Sequence, residues 1–365
     1  MPAWPPVRRA TTFALVATLA GCTPTRAAAQ LTTAQSPTSA GAPKPADTIG
    51  IVDLYGLGQV PADRVRSAMT FREGDAIVGG VRSPSIVESE ARLAALPGVR
   101  RARITLVCCD NGRSIAYVGI EEDGAPRQSF RDPPTGSVRL APDIVQAGAE
   151  FDTAFVAAIR RGVAGEDRSQ GHALAHDPAT RAIQERFVGF AARDAEQLRR
   201  VLRHSSVERD RALAAQVLGY ARDKAAVTDD LSYAMGDPAE EVRNNAMRAL
   251  MVIAEIDADA GAPRANIPPA PFVAMLRSPA WTDRNKASLA LFALSHGRDP
   301  RLLAALRQGD AITPLVEMAR WRSEGHAQAA FIILGRVAGF SDEETMVHWT
   351  RGERETVIAA AVARR

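Results

Sequence analysis

The residues that come nearest to a metal site are His172, His176 and Asp177, in the run His172-Ala-Leu-Ala-His176-Asp177. Two histidines four residues apart share one helix face and can hold one divalent ion, with Asp177 as a third ligand. The chemistry such a set would serve is metal-dependent hydrolysis. Yet no Glu between the histidines supplies a base, and Gly171 and Pro178 leave hardly a turn of helix. The stretch therefore reads first as a solvated or capping loop, with Asp177-Pro178 as N-cap and first-turn proline of the next helix. Cys108-Cys109 is the second candidate, as a vicinal disulfide or redox pair in an oxidising compartment. Neighbouring strand side chains point to opposite faces, so the pair reads first as two small hydrophobes at a hairpin mouth. His204, His296, His326 and His348 are scattered without Ser, Cys or carboxylate neighbours at useful spacing. There is no G-x-S-x-G, H-E-x-x-H, P-loop or Gly-rich dinucleotide turn. The sequence predicts no catalytic residue, no bound metal and no cofactor.

The composition is ordinary for a globular protein: 365 residues, 46% hydrophobic, with three Cys. That excludes collagen, wholesale disorder and a disulfide-dense scaffold. A formal charge of +3 invites a nucleic-acid reading, but the N-terminus accounts for much of it. Arg8 and Arg9 precede an apolar stretch from Ala10 to Leu19 and a small-residue site at Leu19-Ala20-Gly21-Cys22. These are the three parts of an export signal, with the apolar stretch too short to span a bilayer. Cleavage before Cys22 takes the charge from +3 to +1, so export and near-neutrality speak against nucleic acid. No later segment is long enough and free of charge to predict a transmembrane helix. Leu-Ala-Gly-Cys resembles the lipobox of bacterial lipoproteins, which implies acylation of Cys22 and a membrane anchor. Ordinary secretion with cleavage after Ala27-Ala28-Ala29 is the competing reading. Residues 1–21 are thus expected to be a signal peptide. Residues 22–47, rich in Thr, Ala, Ser, Pro and Gly, read as a disordered tether.

Residues 48–124 read as a small α+β unit in the order β-α-α-β-β. Ile49, Ile51 and Tyr55 alternate with Val52 and Leu54; Pro61 and Ser83-Pro84 open two helices; two alternating runs then flank Asp110-Asn111-Gly112. Asn-Gly between such runs is a strong hairpin signal. With Phe71-Arg-Glu-Gly-Asp75 between the helices and Leu96-Pro-Gly-Val99 before the hairpin, the unit resembles a POTRA domain. The resemblance implies a domain that binds extended segments of envelope proteins, often by strand addition at a sheet edge. The usual β-barrel or membrane partner domain is missing from this chain's pattern.

Residues 125–179 read as a linker with one helix from Pro142. Residues 180–365 carry an internal repeat. Arg211-Ala-Leu-Ala214…Leu218, Arg243-Asn-Asn-Ala246…Leu250 and Arg284-Asn-Lys-Ala287…Leu291 align at offsets of 32 and 41 residues. A degenerate fourth unit contains Ala330 to Gly335, and each is preceded by a shorter amphipathic segment. Asp237-Pro238 and Arg243 are similar to the turn Asp-Pro and second-helix Arg of HEAT repeats. The resemblance implies a stacked helical solenoid, a structural Asp/Arg ladder and a concave wall that binds proteins. The expected fold class is therefore a POTRA-like α+β domain followed by an all-α, HEAT-like solenoid. Arg243-Asn244-Asn245 and Arg284-Asn285-Lys286 fall at equivalent repeat positions. With Trp281 and Trp321 they are the candidate partner-binding residues, since Arg and Trp dominate interface hot spots. The competing reading makes them helix caps and packing. The expected function is a non-catalytic, protein-binding adaptor of the cell envelope, periplasmic or outer-membrane-associated, whose partners are other envelope proteins. The alternative is a periplasmic metal-dependent hydrolase using His172, His176 and Asp177.

Overall fold

A computed structural model of the chain describes residues 47–365 except 81–82, 127, 261–264, 309 and 365. The expected signal peptide, Cys22 and the tether up to residue 46 lie outside the described residues. So do the side chains of Cys108 and Cys109.

The N-terminal unit contains β1 (Asp47–Tyr55), α1 (Ala62–Ala68), β2 (Ala76–Ile77), α2 (Pro84–Ala94), β3 (Val99–Asp110) and β4 (Arg113–Glu122). Its sheet has the order β2-β1-β4-β3, with β1 parallel to β4 and the other pairs antiparallel. The two-residue β2 is an addition to the expected β-α-α-β-β order. Asn111 and Gly112, both at positive φ, make the two-residue turn between β3 and β4. One face of the sheet, with Val52, Ile104, Leu106, Ala116, Val118 and Ile120, packs on Val65, Ile86 and Leu93 of the helices. A register shift at Gly50 turns Ile51 away from the face Ile49 occupies, so the predicted Ile49/Ile51 alternation does not hold. The other face, with Ile51, Tyr55, Val107, Ile115 and Tyr117, is also buried.

The rest of the chain is helical. After α3 (Pro142–Arg160), a small β5–β6 hairpin (Glu166–Asp167 and Leu174–Ala175) and α4 (Pro178–Arg193), helix pairs follow. They are α5/α6 (Ala195–His204, Glu208–Leu218), α7/α8 (Ala225–Ala234, Glu240–Asp259) and α9/α10 (Ala270–Met275, Trp281–Leu294). Helix α11 (Pro300–Gln308), which the repeat pattern did not predict, precedes α12/α13 (Ile312–Ala319, Glu324–Ala338) and α14/α15 (Asp342–Thr350, Arg354–Val362). The second helices stack side by side, α6 on α8, α8 on α10, α10 on α13 and α13 on α15. Ala214, Ala246 and Ala287 are fully buried where these helices approach, as are Leu218, Leu250 and Leu291. This is a helical-repeat solenoid.

One arginine per repeat fixes the stack. Arg211 donates to the Ser205 carbonyl at 2.9 Å, closing the turn before its own helix, and binds Asp237 of the next pair through two nitrogens at 2.8 and 2.9 Å. Arg243 repeats this, donating to the Asp237 carbonyl at 3.0 Å and to both oxygens of Asp283 at 3.0 and 2.8 Å. Arg284 donates to the Ser278 carbonyl and to Glu317, each at 2.7 Å. Where Ser278 replaces the turn aspartate, its hydroxyl donates to Asp283, which takes over the anionic role. Arg243 and Asp283 are both buried, so removing one charge strands the other. Arg243→Met should cost about 4 kcal/mol in urea unfolding, and the double variant Arg243→Met/Asp283→Leu should recover most of it.

Candidate functional site

The turns between the helices of each pair form a ridge at Ser205–Val207, Asp237–Ala239, Ser278–Ala280 and Trp321–Ser323. The second face of the N-terminal sheet is seated on this ridge. Tyr55 Oη donates to the Pro279 carbonyl at 2.8 Å. Tyr117 stacks on Trp281, with ring centres 5.3 Å apart, and lies 4.8 Å from the Trp321 ring. Its hydroxyl is 2.8 Å from His326 Nδ1. At the rim, Arg322 pairs with Asp53 at 3.1 Å and with Glu73. Glu317, already bound by Arg284, also accepts the Gly56 N–H at 3.2 Å. Gly119 lies at the contact, where a Cβ would overlap the Pro279 carbonyl oxygen and crowd the Tyr55 ring. Only glycine lets β4 approach that closely.

The segment after the sheet continues along the same ridge as an extended strap. Phe130 lies against the Arg243 guanidinium at 3.9 Å. The Arg131 N–H donates to the Gly236 carbonyl at 2.9 Å, and its guanidinium lies 3.5 Å from the centre of the Tyr233 ring. Gly136 bridges to Ser205, and Arg139 binds Asp210 at 2.7 Å. The strap thus runs backwards over the repeats. Tyr55 on Arg284, at 4.5 Å, and Phe130 on Arg243 are the same cation–π device in consecutive units.

These contacts relocate the residues predicted from the repeat. Arg243, Asn244, Trp281, Arg284, Asn285, Lys286 and Trp321 are all buried rather than displayed on an open wall. Arg243 and Arg284 belong to the ladder, Asn245 donates to the Ala212 carbonyl at 3.0 Å, and the two Trp rings receive the sheet. Burial and the nearby Lys286 push the His326 pKa down to about 4, so the imidazole is neutral at pH 7. What the sequence reading missed is the seating itself, made by Tyr55, Tyr117 and Gly119 on the sheet and His326 on the helical side. The available signal was a strand pair apolar on both faces, which requires a cover on each side.

His172, His176 and Asp177 do not converge. His172 is buried, stacks on Tyr220 and has Nδ1 3.1 Å from Lys224 Nζ. Burial and the neighbouring Lys224 and Arg222 hold its pKa down to about 4. Asp177 caps α4 by accepting from the Thr180 N–H and hydroxyl, at 3.0 and 2.7 Å, and pairs with Arg161 at 2.6 Å. His176 is exposed. Among the described residues no group of three His, Cys, Asp or Glu is placed to hold a metal. The candidate triad is a cap and a loop anchor.

A cavity of about 310 Å³ lies beside β3. Arg101, Ala102 and Arg103 form one wall, Phe130 one end, and Pro238, Glu240 and Ser278–Ala280 the ridge wall. Glu240 spans it, accepting from Thr282 at 2.6 Å and pairing with Arg103 at 3.3 Å. Strand β3 is the edge of the sheet. Its Ile104 N–H turns outward to Glu90 at 2.6 Å, and alternate residues of an antiparallel ladder share that side. The outward backbone of Ala102 therefore faces the cavity at the sheet's edge.

No protein-family model matches the chain, and no curated protein matches it. Solved structures do. A designed armadillo repeat protein is 17% identical, with a TM-score of 0.35, over 51% of this chain and 93% of its own. Another, from a set designed for modular peptide recognition, is 18% identical, with a TM-score of 0.34 and the same coverage.

The seating of the sheet gives a direct test. Gly119→Val places side-chain atoms where the Pro279 carbonyl stands and should cost about 3 kcal/mol. The expected result is a red shift of tryptophan emission and faster tryptic cleavage of the strap, with far-UV circular dichroism of the helices retained.

Proposed function

We propose that this chain is a non-catalytic, protein-binding scaffold of the bacterial cell envelope, built from a POTRA-like domain over residues 48–124 and a HEAT-like array over residues 180–365. Its partner is an extended segment of another envelope protein. One observation carries the reading. The open edge of β3 at Ala102 faces a cavity whose opposite wall is the turn ridge of the repeats. An extended chain laid there pairs its backbone with the strand edge while its side chains meet Pro238, Pro279 and Phe130. The N-terminal Arg8-Arg9, the apolar run and Leu-Ala-Gly-Cys support export and acylation of Cys22, so the scaffold is held at a membrane by its lipid. Among the described residues no helix is long and apolar enough to cross a membrane.

Ala102→Pro removes the outward N–H at an edge position where proline is tolerated. A photocrosslinker at Arg101 should capture a defined envelope protein in the native host, and Ala102→Pro should reduce that capture at least tenfold. Capture unchanged by Ala102→Pro rejects the groove. Separately, Cys22→Ser should abolish palmitate labelling and move the protein from the membrane to the soluble exported fraction.

A further inference from the structure

The sheet's seat on the ridge contains a titratable group at its centre. His326 Nδ1 lies 2.8 Å from the Tyr117 hydroxyl, inside a knot made by Tyr117, Trp281 and Trp321. Tyr117 comes from β4 and His326 from α13, so this contact joins the two halves of the molecule. Tyr117 is also buried, and burial pushes its phenol well above the ordinary range, so it stays protonated. The latch assigns the neutral imidazole its Nε2–H tautomer, in which Nδ1 accepts from that phenol. A protonated imidazole has N–H at both ring nitrogens and accepts nothing there. Around it, α10 presents Lys286, whose positive charge opposes a second cation, and β4 presents the phenol. The carboxylates Asp53 and Glu317 lie at the rim on Arg322 and Arg284.

The halves have a place to part. Gly124, at positive φ, ends the sheet unit. Between Ala125 and Phe130 the strap's described contact is Gln128 Nε2 on Met275 Sδ at 3.2 Å, whereas from Phe130 onward it is fixed to the ridge. The rim ion pairs are partly exposed, as for Arg322 with Asp53 and Glu73, and hold weakly.

We propose that the Tyr117–His326 contact is a pH-sensitive latch: protonation of the imidazole unseats the N-terminal sheet from the ridge, with the chain turning at Gly124. This goes beyond the scaffold reading and stands without it. The seated state favours neutral His326, so the seating is fully present above the free imidazole's pKa and is lost as pH falls from about 6.5 towards 4. At pH 5 the seating equilibrium should weaken roughly 30-fold, from the separation between the free and seated values. Unseating also takes the cavity apart, because Arg101–Arg103 and Ser278–Ala280 belong to opposite halves.

The test uses the full chain at pH 7.5 and pH 5. Small-angle scattering should show a larger radius of gyration at pH 5, and acrylamide should quench tryptophan more strongly, with far-UV circular dichroism unchanged. His326→Gln, which keeps an acceptor that does not titrate, should abolish both changes. His172→Gln, at the solenoid's other depressed histidine, should leave them in place. A wild-type radius and quenching constant that do not change between pH 7.5 and pH 5 overturn the latch, as does an unaltered pH response in His326→Gln. Should His326→Gln fail to fold, the wild-type scattering alone decides. None of these readouts depends on a partner, so the latch and the scaffold reading fail separately.

Discussion

The arginine clasp repeated through the solenoid is the interaction on which the rest depends. Arg211, Arg243 and Arg284 each close the turn before their own helix and bind an acid of the next pair. A guanidinium suits this because its fork supplies several N–H donors in one plane, enough for a carbonyl on one side and a carboxylate on the other. Each turn is thereby fixed relative to the next, and the turns align into a ridge. The planar faces of the same cations then remain for aromatic rings, and Phe130 and Tyr55 take two of them. One side chain thus shapes the repeat, spaces it and offers it a docking point.

Seating the sheet on that ridge merges a hydrophobic surface of each half into one core. The core of the solenoid continues into Ile51, Tyr55, Val107, Ile115 and Tyr117 of the sheet. The rings of Tyr55, Tyr117, Trp281 and Trp321 meet at its centre, as buried aromatic anchors do elsewhere. The ion pairs at the rim orient it. The cost is a buried imidazole and a close backbone approach at Gly119, both of which make the seat sensitive to small changes. The result places an open strand edge beside a rigid ridge, a geometry that neither half provides alone.

Much of the fold was legible because it rests on local pattern. Asn111-Gly112 fixed the hairpin, and Pro84, Pro142 and Pro178 opened helices where expected. The Arg-x-x-Ala-x-x-x-Leu spacing located the second helix of three repeats, and the resemblance to HEAT repeats implied the ladder role that Arg243 and Arg284 take. Legibility failed where partners are distant in sequence. Asp283 and Glu317 complete the ladder from positions that the repeat does not mark, because the third and fourth units differ in length and supply the acid from different helices. The bulge at Gly50 reversed one strand alternation, since one extra residue changes the face of what precedes it.

The candidate site divides along the same line. The types and spacing of Trp281, Trp321, Arg243 and Arg284 marked the ridge as unusual, and sequence by itself determined that they belong to a repeating helical array. Whether an Arg or Trp on such an array faces a partner or the chain's own N-terminal sheet is not encoded in its neighbours. It depends on which apolar surface reaches it first, and a sheet with two apolar faces tethered by a short strap reaches it at high effective concentration. The sequence therefore determined most of the elements, the repeat and the arginines of its ladder. Only the tertiary structure decided that the presumed binding face is covered from within and that the open edge lies at Ala102, because burial is a property of the assembled surfaces rather than of any local run of residues.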